Sequence, residues 1–508
     1  MLWKKWQLQC WIVVAKITIN VIFLPLICAG AEDTDSLVVM TTNGSVRGFI
    51  RNHTSGKSVR VFYGIPYAQP PVGNLRFRRP VPNISWSGIL NATVRPNSCV
   101  QALDCIYGNF NGSMMWNANT NMSEDCLKLN IWTPHPDPNN VAVLVWIYGG
   151  GFYSGTSTLD VYDATTLVAR ENVIVVSMNY RVASLGFLSF GNDMVPGNAG
   201  LYDQHLALSW IKENICAFGG DENRITIFGE SAGAVSVGYH LLSPLSRGLF
   251  TRAILQSGYL TAPWGFQNNA TARKSAKALA EALNCSTELD NSTLECLLGK
   301  DAKLIIENEV WGSGVVEFPF VPVQDGLLIP NSTQNMSVMG TFNNETTVLL
   351  GSNANEGSYF LEYFLELPAT ADPVNITEQN FTAVLKALNP VKGEPPMEDI
   401  LKMYVNVTPS STEEWLSVLD AIVGDYHFTC PVVQLAELLT QAEASVYQYF
   451  FSHRSSSNPW PKWMGVIHGE EIGFEFGEPF NASLKYDEVD KNLSATIMKY
   501  WANFSKSG

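Results

Sequence analysis

The stretch from Ile225 to Leu242 constrains this chain most. Ile225–Phe228 is apolar and strand-like, Gly229-Glu230-Ser231-Ala232-Gly233 follows without a spacer, and Ala234–Leu242 reads as a helix. A strand that turns straight into a helix through G-x-S-x-G bends so tightly that only small neighbours fit. The bend thrusts the serine side chain out at the carboxyl end of a sheet. Other runs agree with such a sheet: Val143–Tyr148, Val173–Ser177, Ala253–Leu255, Val348–Leu350 and Ser445–Phe451 are continuously apolar rather than alternating. Continuous apolar strands belong to a sheet covered on both faces. Helical stretches such as Leu206–Asn214 and Thr271–Leu283 lie between them. The order predicts an α/β fold with a mostly parallel central sheet flanked by helices. No repeat or linker divides the chain, so residues 32–508 are expected to form one domain. The segment after Asp372 reads as an insertion over the sheet.

A serine hydroxyl is a weak nucleophile and needs a base. After such an elbow the acid and the histidine follow the serine in chain order. The later histidines are His240, His427, His453 and His468. His240 lies on the helix leaving the elbow and should point away from Ser231. His453 closely follows a strand. His468 sits in the glycine-flanked loop Gly465-Val466-Ile467-His468-Gly469, which can bend back to the sheet edge. Spacing favours His468 over His453 without excluding the latter. Glu356, in the loop after Val348–Leu350, is the candidate acid; the plainer reading is an exposed loop glutamate. Acyl transfer also needs donors for a developing oxyanion. Gly149-Gly150-Gly151 ends the strand Val143–Tyr148 with unobstructed N–H groups, and the N–H of Ala232 follows the serine.

The formal net charge of -15, with a pI near 5.0, weighs against a nucleic-acid partner and suits a cationic ligand. Residues 1–31 read as a secretory signal: Lys4 and Lys5, an apolar stretch Val21–Ile27, then Ala29-Gly30-Ala31. Lys16 and Asn20 interrupt the apolar run, which argues against a membrane span there. Asn-x-Ser/Thr sequons recur, as at Asn43, Asn83, Asn269, Asn331, Asn375 and Asn481, and favour an extracellular route. Beyond the signal stand Cys99, Cys105, Cys126, Cys216, Cys285, Cys296 and Cys430, an odd set that leaves at least one without an internal partner. No Walker motif, dinucleotide fingerprint or metal cluster is evident, so neither cofactor nor metal is expected.

Three longer stretches carry a family resemblance: Trp146–Gly155 around the three glycines, Phe228–Gly233 around the serine, and Trp463–Gly469 around His468. Through them, and nearly continuously from Val61 to Gly508, the chain resembles the cholinesterases. The resemblance implies an α/β-hydrolase fold and a triad of Ser231, Glu356 and His468. It implies an oxyanion hole of Gly150, Gly151 and Ala232, and choline esters as small-molecule substrates. It places Trp116 against the substrate ammonium, which cannot accept or donate a hydrogen bond and is best met by an aromatic face. Glu230 matches the nearby carboxylate, and Tyr359 and Phe360 match gorge-lining aromatics. Trp264 and Phe318 match acyl-pocket walls. Val316 stands where vertebrate acetylcholinesterases carry a phenylalanine, so butyrylcholine is expected to be cleaved as well as acetylcholine.

Asp104 and Tyr153 match an outer, peripheral site. Ala102 replaces a tyrosine there, and Trp311 aligns near the family's peripheral tryptophan across a gap. The same matching implies disulfides Cys99–Cys126 and Cys285–Cys296. It places the partner of Cys430 beyond Gly508, so the sequence reads as truncated, without the family's tail for oligomerisation and membrane attachment. A homo-oligomer through that tail and a synaptic or membrane-associated location follow from the resemblance alone. Cys105 and Cys216 have no assigned counterpart. Two other readings share the scaffold: a broad carboxylesterase for neutral esters, and a non-catalytic adhesion protein like the neuroligins, which typically lack a triad member.

Overall fold

The computed structural model describes residues 36–136, 138–330, 346–370, 376–388, 397–405, 409 and 411–508. The expected signal segment, Asp372 and the sequons at Asn331 and Asn375 lie outside them. The centre is a nine-stranded sheet. We number its strands β1 (Phe49–Asn52), β2 (Ser58–Pro66), β3 (Lys128–His135), β4 (Val141–Ile147), β5 (Ile174–Met178), β6 (Gly220–Glu230), β7 (Arg252–Gln256), β8 (Thr347–Asn353) and β9 (Val446–Phe451). Their spatial order is β9-β8-β7-β6-β4-β5-β3-β2-β1. From β9 through β5 every neighbour is parallel; from β5 to β1 every pair is antiparallel.

The continuous apolar runs are the middle of this sheet. Val143–Tyr148 and Ile174–Val176 are fully buried. Helices pack against it, among them α1 (Ala199–Asn214), α2 (Ala232–Leu242) and α3 (Glu488–Ser507). β6 begins at Gly220, earlier than its apolar run implies. Its first turn of chain is polar because it enters at the rim, where Arg224 Nε donates to Asp221 Oδ2 at 2.7 Å. Trp146 on β4, Phe228 on β6 and Phe476 interlock at 4.8–5.8 Å between ring centroids, fixing the two site-bearing strands together.

Both expected disulfides are present, Cys99–Cys126 and Cys285–Cys296. The first closes a loop that carries Asp104 and Trp116. Cys105 and Cys430 are exposed and take part in no disulfide.

Candidate active site

Ser231 stands between the end of β6 and the start of α2 at φ 56°, ψ −121°, a left-handed backbone that a serine adopts only under constraint. Two glycines supply that constraint. A Cβ on Gly229 would lie 2.5 Å from the Ile147 carbonyl oxygen, and one on Gly233 only 2.0 Å from it. Strand β4 and the elbow therefore touch backbone to backbone. The Ser231 N–H donates to Gln256 O at 2.8 Å, tying the turn to β7. Gly149–Gly151 follow β4 after Tyr148; Gly150 and Gly151 have φ of 99° and 57°, in the region that favours glycine. A Cβ on Gly149 would sit 3.1 Å from the Ser231 Cβ, so the glycine loop and the serine face each other. Ala232 opens α2, where the first N–H groups have no partner inside the helix.

Glu356 is 2% exposed rather than a solvated loop residue. Its Oε1 accepts from Ser257 Oγ and from the Asn353 N–H, both at 2.6 Å. Its Oε2 lies 2.6 Å from His468 Nδ1, which fixes Nδ1 as the protonated nitrogen. The choice left open by spacing is thus settled in placement: His468 meets Glu356, whereas His453 Nε2 pairs with Asp490 at 2.7 Å. His240 is buried away from the serine against Ser246 and Gln204.

His468 Nε2 is 3.0 Å from Glu230 Oε1, and no hydrogen bond joins it to Ser231 Oγ in this conformation. Burial pushes the imidazole down, but Glu230 and then Glu356 outweigh it and raise its pKa to about 10. A carboxylate on each side favours the imidazolium.

Trp116 and Glu230 both border Gly469, the residue after this histidine. A Cβ on Gly469 would lie 3.6 Å from Glu230 Oε1 and 3.7 Å from Trp116 Cη2. Two aromatic arms then leave the imidazole. One runs from His468 to Phe428 (4.5 Å), Trp264 (5.7 Å), Phe318 (5.9 Å), Tyr153 (5.3 Å) and Trp311 (4.9 Å), each measured from the ring before it. The other runs from His468 to Phe360 (5.1 Å), Tyr359 (5.6 Å) and Tyr363 (5.0 Å). It ends where the Tyr363 hydroxyl donates to Asp104 Oδ2 at 2.5 Å. Val316 is buried in the same core as Trp264, and Ala102 is exposed.

Sequence reasoning missed Tyr363, Phe428 and Ser257. Tyr363 lies one helical turn beyond Tyr359 and was findable from that spacing. Phe428 sits in a short π-helical turn, Asp425–Thr429, which no regular periodicity signals. Ser257 follows β7 with φ 54°, and nothing local marks it.

Residues 35–508 match the Carboxylesterase family. The chain belongs to the carboxylesterase family. It is 44% identical over 479 residues to "Cholinesterase" of Mus musculus, covering 93% of this chain and 79% of that one. It is 46% identical to "Acetylcholinesterase" of Bungarus fasciatus, covering 93% and 78%. It is 45% identical to "Acetylcholinesterase 1" of Caenorhabditis elegans, covering 89% and 76%. These relatives place this carboxylesterase among the cholinesterases. Its fold has parts that ester hydrolysis requires: a serine on a strained turn, 6% exposed, a histidine held by a buried carboxylate, and a glycine loop facing the serine.

Proposed function

We propose that this carboxylesterase hydrolyses choline esters through an acyl-enzyme on Ser231. Ser231 Oγ attacks the ester carbonyl while His468 Nε2 takes its proton. This requires the imidazole to turn Nε2 from Glu230 towards the serine, an adjustment of the kind that substrate completes in many hydrolases. Glu356 keeps the proton on Nδ1 and stabilises the imidazolium. The N–H groups of Gly150, Gly151 and Ala232 receive the oxyanion. Choline leaves with the proton from His468, and water activated by the same histidine releases the carboxylate.

The placement of the Trp116 indole and the Glu230 carboxylate around Gly469, next to His468, carries the substrate assignment. An aromatic face backed by a negative charge binds a quaternary ammonium, which neutral-ester enzymes have no need to hold. On the acyl side, Val316 leaves room for a butyryl chain beside Trp264 and Phe318. Asp104 and Tyr153, with Trp311, are proposed to form an outer site for cations. A secreted location is proposed from the leader and sequons; among the described residues no helix is long and apolar enough to cross a membrane.

The deciding experiment compares acetylthiocholine, butyrylthiocholine and an uncharged isostere, with Ser231→Ala as control. Efficient cleavage of both choline esters and poor cleavage of the isostere supports the proposal. Equal rates on charged and neutral esters would instead indicate a broad carboxylesterase. Absence of labelling at Ser231 by a fluorophosphonate would indicate a binding-only protein.

A further inference from the structure

Behind the elbow, α2 is apolar except for Ser236 and His240, one helical turn apart and both fully buried. They belong to a single chain of hydrogen bonds. Ser246 Oγ is 2.9 Å from His240 Nδ1, and His240 Nε2 is 3.0 Å from Gln204 Oε1. Gln204 Nε2 is 3.1 Å from Ser236 Oγ, and Ser236 Oγ is 2.8 Å from the carbonyl oxygen of Ala232.

The last contact fixes the direction of all the others. Two oxygens this close need a proton between them, and the carbonyl has none. Ser236 therefore donates to Ala232 and must accept from Gln204. The Gln204 amide then presents its oxygen to His240, so His240 carries its proton on Nε2 and accepts at Nδ1 from Ser246. Burial, with His205 nearby, pushes the His240 imidazole down to about 3, which keeps it neutral and able to accept at one nitrogen while donating at the other. Every bond in the chain points the same way, and bonds aligned like this strengthen one another.

We infer that the Ser246–His240–Gln204–Ser236 chain positions Ala232, and through it the oxyanion donor that follows the nucleophile. The tether holds the Ala232 carbonyl from behind while its N–H faces the reacting centre. An oxyanion donor works only within a few tenths of an ångström of its place. His240 and its partners act through Ala232 and touch no substrate, so they are positioning residues.

The inference rests on the proposed role of Ala232 in acyl transfer, and the experiment separates the two. The wild-type protein is first assayed with acetylthiocholine; no turnover would overturn that role itself. His240→Leu breaks the chain, and His240→Gln retains both a donor and an acceptor. Losing a whole oxyanion donor costs about a hundredfold or more, and a displaced donor keeps part of its effect. His240→Leu should therefore lower kcat about tenfold with KM nearly unchanged. A trimethylammonium trifluoromethyl ketone, which forms a tetrahedral adduct, should bind about tenfold less tightly. Tetramethylammonium, which needs no oxyanion hole, should bind as before. His240→Gln should recover most of the loss. If His240→Leu does not fold, Ser246→Ala at the far end should show the same pattern at about threefold. A fall in thermal stability with kcat and ketone affinity intact would overturn the inference. So would a His240→Gln variant as slow as His240→Leu.

Discussion

The floor of the site and its rim are built on opposite plans. At the floor every reacting group is over-determined. Ser231 is held by a strained turn and two close-packed glycines, and Glu356 receives three hydrogen bonds of 2.6 Å. At the rim, Trp311 is 46% exposed, Tyr153 is placed by ring packing, and Tyr363 by ring packing and by hydroxyl bonds to Asp104 and Tyr359. On the proposed mechanism, the tightly bonded groups lie where charge develops during reaction, and the more exposed ones lie at the proposed outer site. Changes at the floor should therefore alter rate steeply, whereas changes towards the rim should alter affinity mildly.

The largest effect is expected at the proposed triad. Glu356→Gln keeps the shape but removes the charge that stabilises the imidazolium, and its amide nitrogen cannot accept from Nδ1–H. We expect kcat to fall about 10⁴-fold, and Ser231→Ala to fall further, with binding of a quaternary ammonium retained. A Glu356→Gln variant within tenfold of wild type would show that the floor is less exacting than its bonds imply.

Trp116→Ala tests the half-buried boundary between the two zones. A desolvated cation–π contact contributes about 2 kcal/mol, so kcat/KM for acetylthiocholine should fall about thirtyfold. The uncharged isostere should lose far less. Equal losses would make Trp116 a packing residue. Val316→Phe comes next. Filling the space of a few methylenes discriminates by about tenfold or more, so the ratio of butyryl to acetyl turnover should drop by that factor while acetyl turnover persists.

The Glu230–His468 contact predicts a shift in pH dependence. The base must be neutral to accept the serine proton, so activity falls as pH falls through the histidine pKa. Glu230 stabilises the protonated imidazole. Removing that charge in Glu230→Gln lowers the pKa, and the acid limb of kcat/KM should move to lower pH by about one unit. The profile is best recorded with a neutral ester, so that loss of ammonium binding does not intrude. An acid limb that stays in place or rises would mean that Nε2 does not rest against Glu230 in solution.

The two zones also differ in how far the letters disclose them. The elbow was legible because its chemistry needs five consecutive residues between a strand and a helix. The glycine loop was legible because three glycines follow a buried strand. The proposed triad partners were only half legible. Glu356 and His468 come from loops after β8 and β9, and spacing could not rank His468 decisively over His453. Their meeting depends on the order of β7, β8 and β9 in the sheet, a long-range property. Ser257 and Phe428 were illegible for the same reason: one touches Glu356 from the end of β7, the other reaches His468 from an irregular turn. At the rim, Trp311 aligned only doubtfully by letters, yet its ring packs edge-on against Tyr153 at 4.9 Å.

Asp104→Asn gives the smallest effect and the most direct test of the rim. The Asp104 carboxylate accepts from Tyr363 and from the Ile106 N–H, and the Asn117 side chain brackets its backbone. Asparagine keeps one acceptor, for the Tyr363 hydroxyl or for the Ile106 N–H, so the rim should retain most of its shape while losing the charge. Charge near the surface acts weakly and is screened by salt. Affinity for a peripheral cation such as propidium should fall about threefold at low ionic strength, and the difference should shrink at 0.5 M salt. The kcat at saturating acetylthiocholine should not change. A large loss of kcat would mean that Asp104 supports the floor through Tyr363 and Phe360, and the division between a rigid floor and a yielding rim would no longer stand.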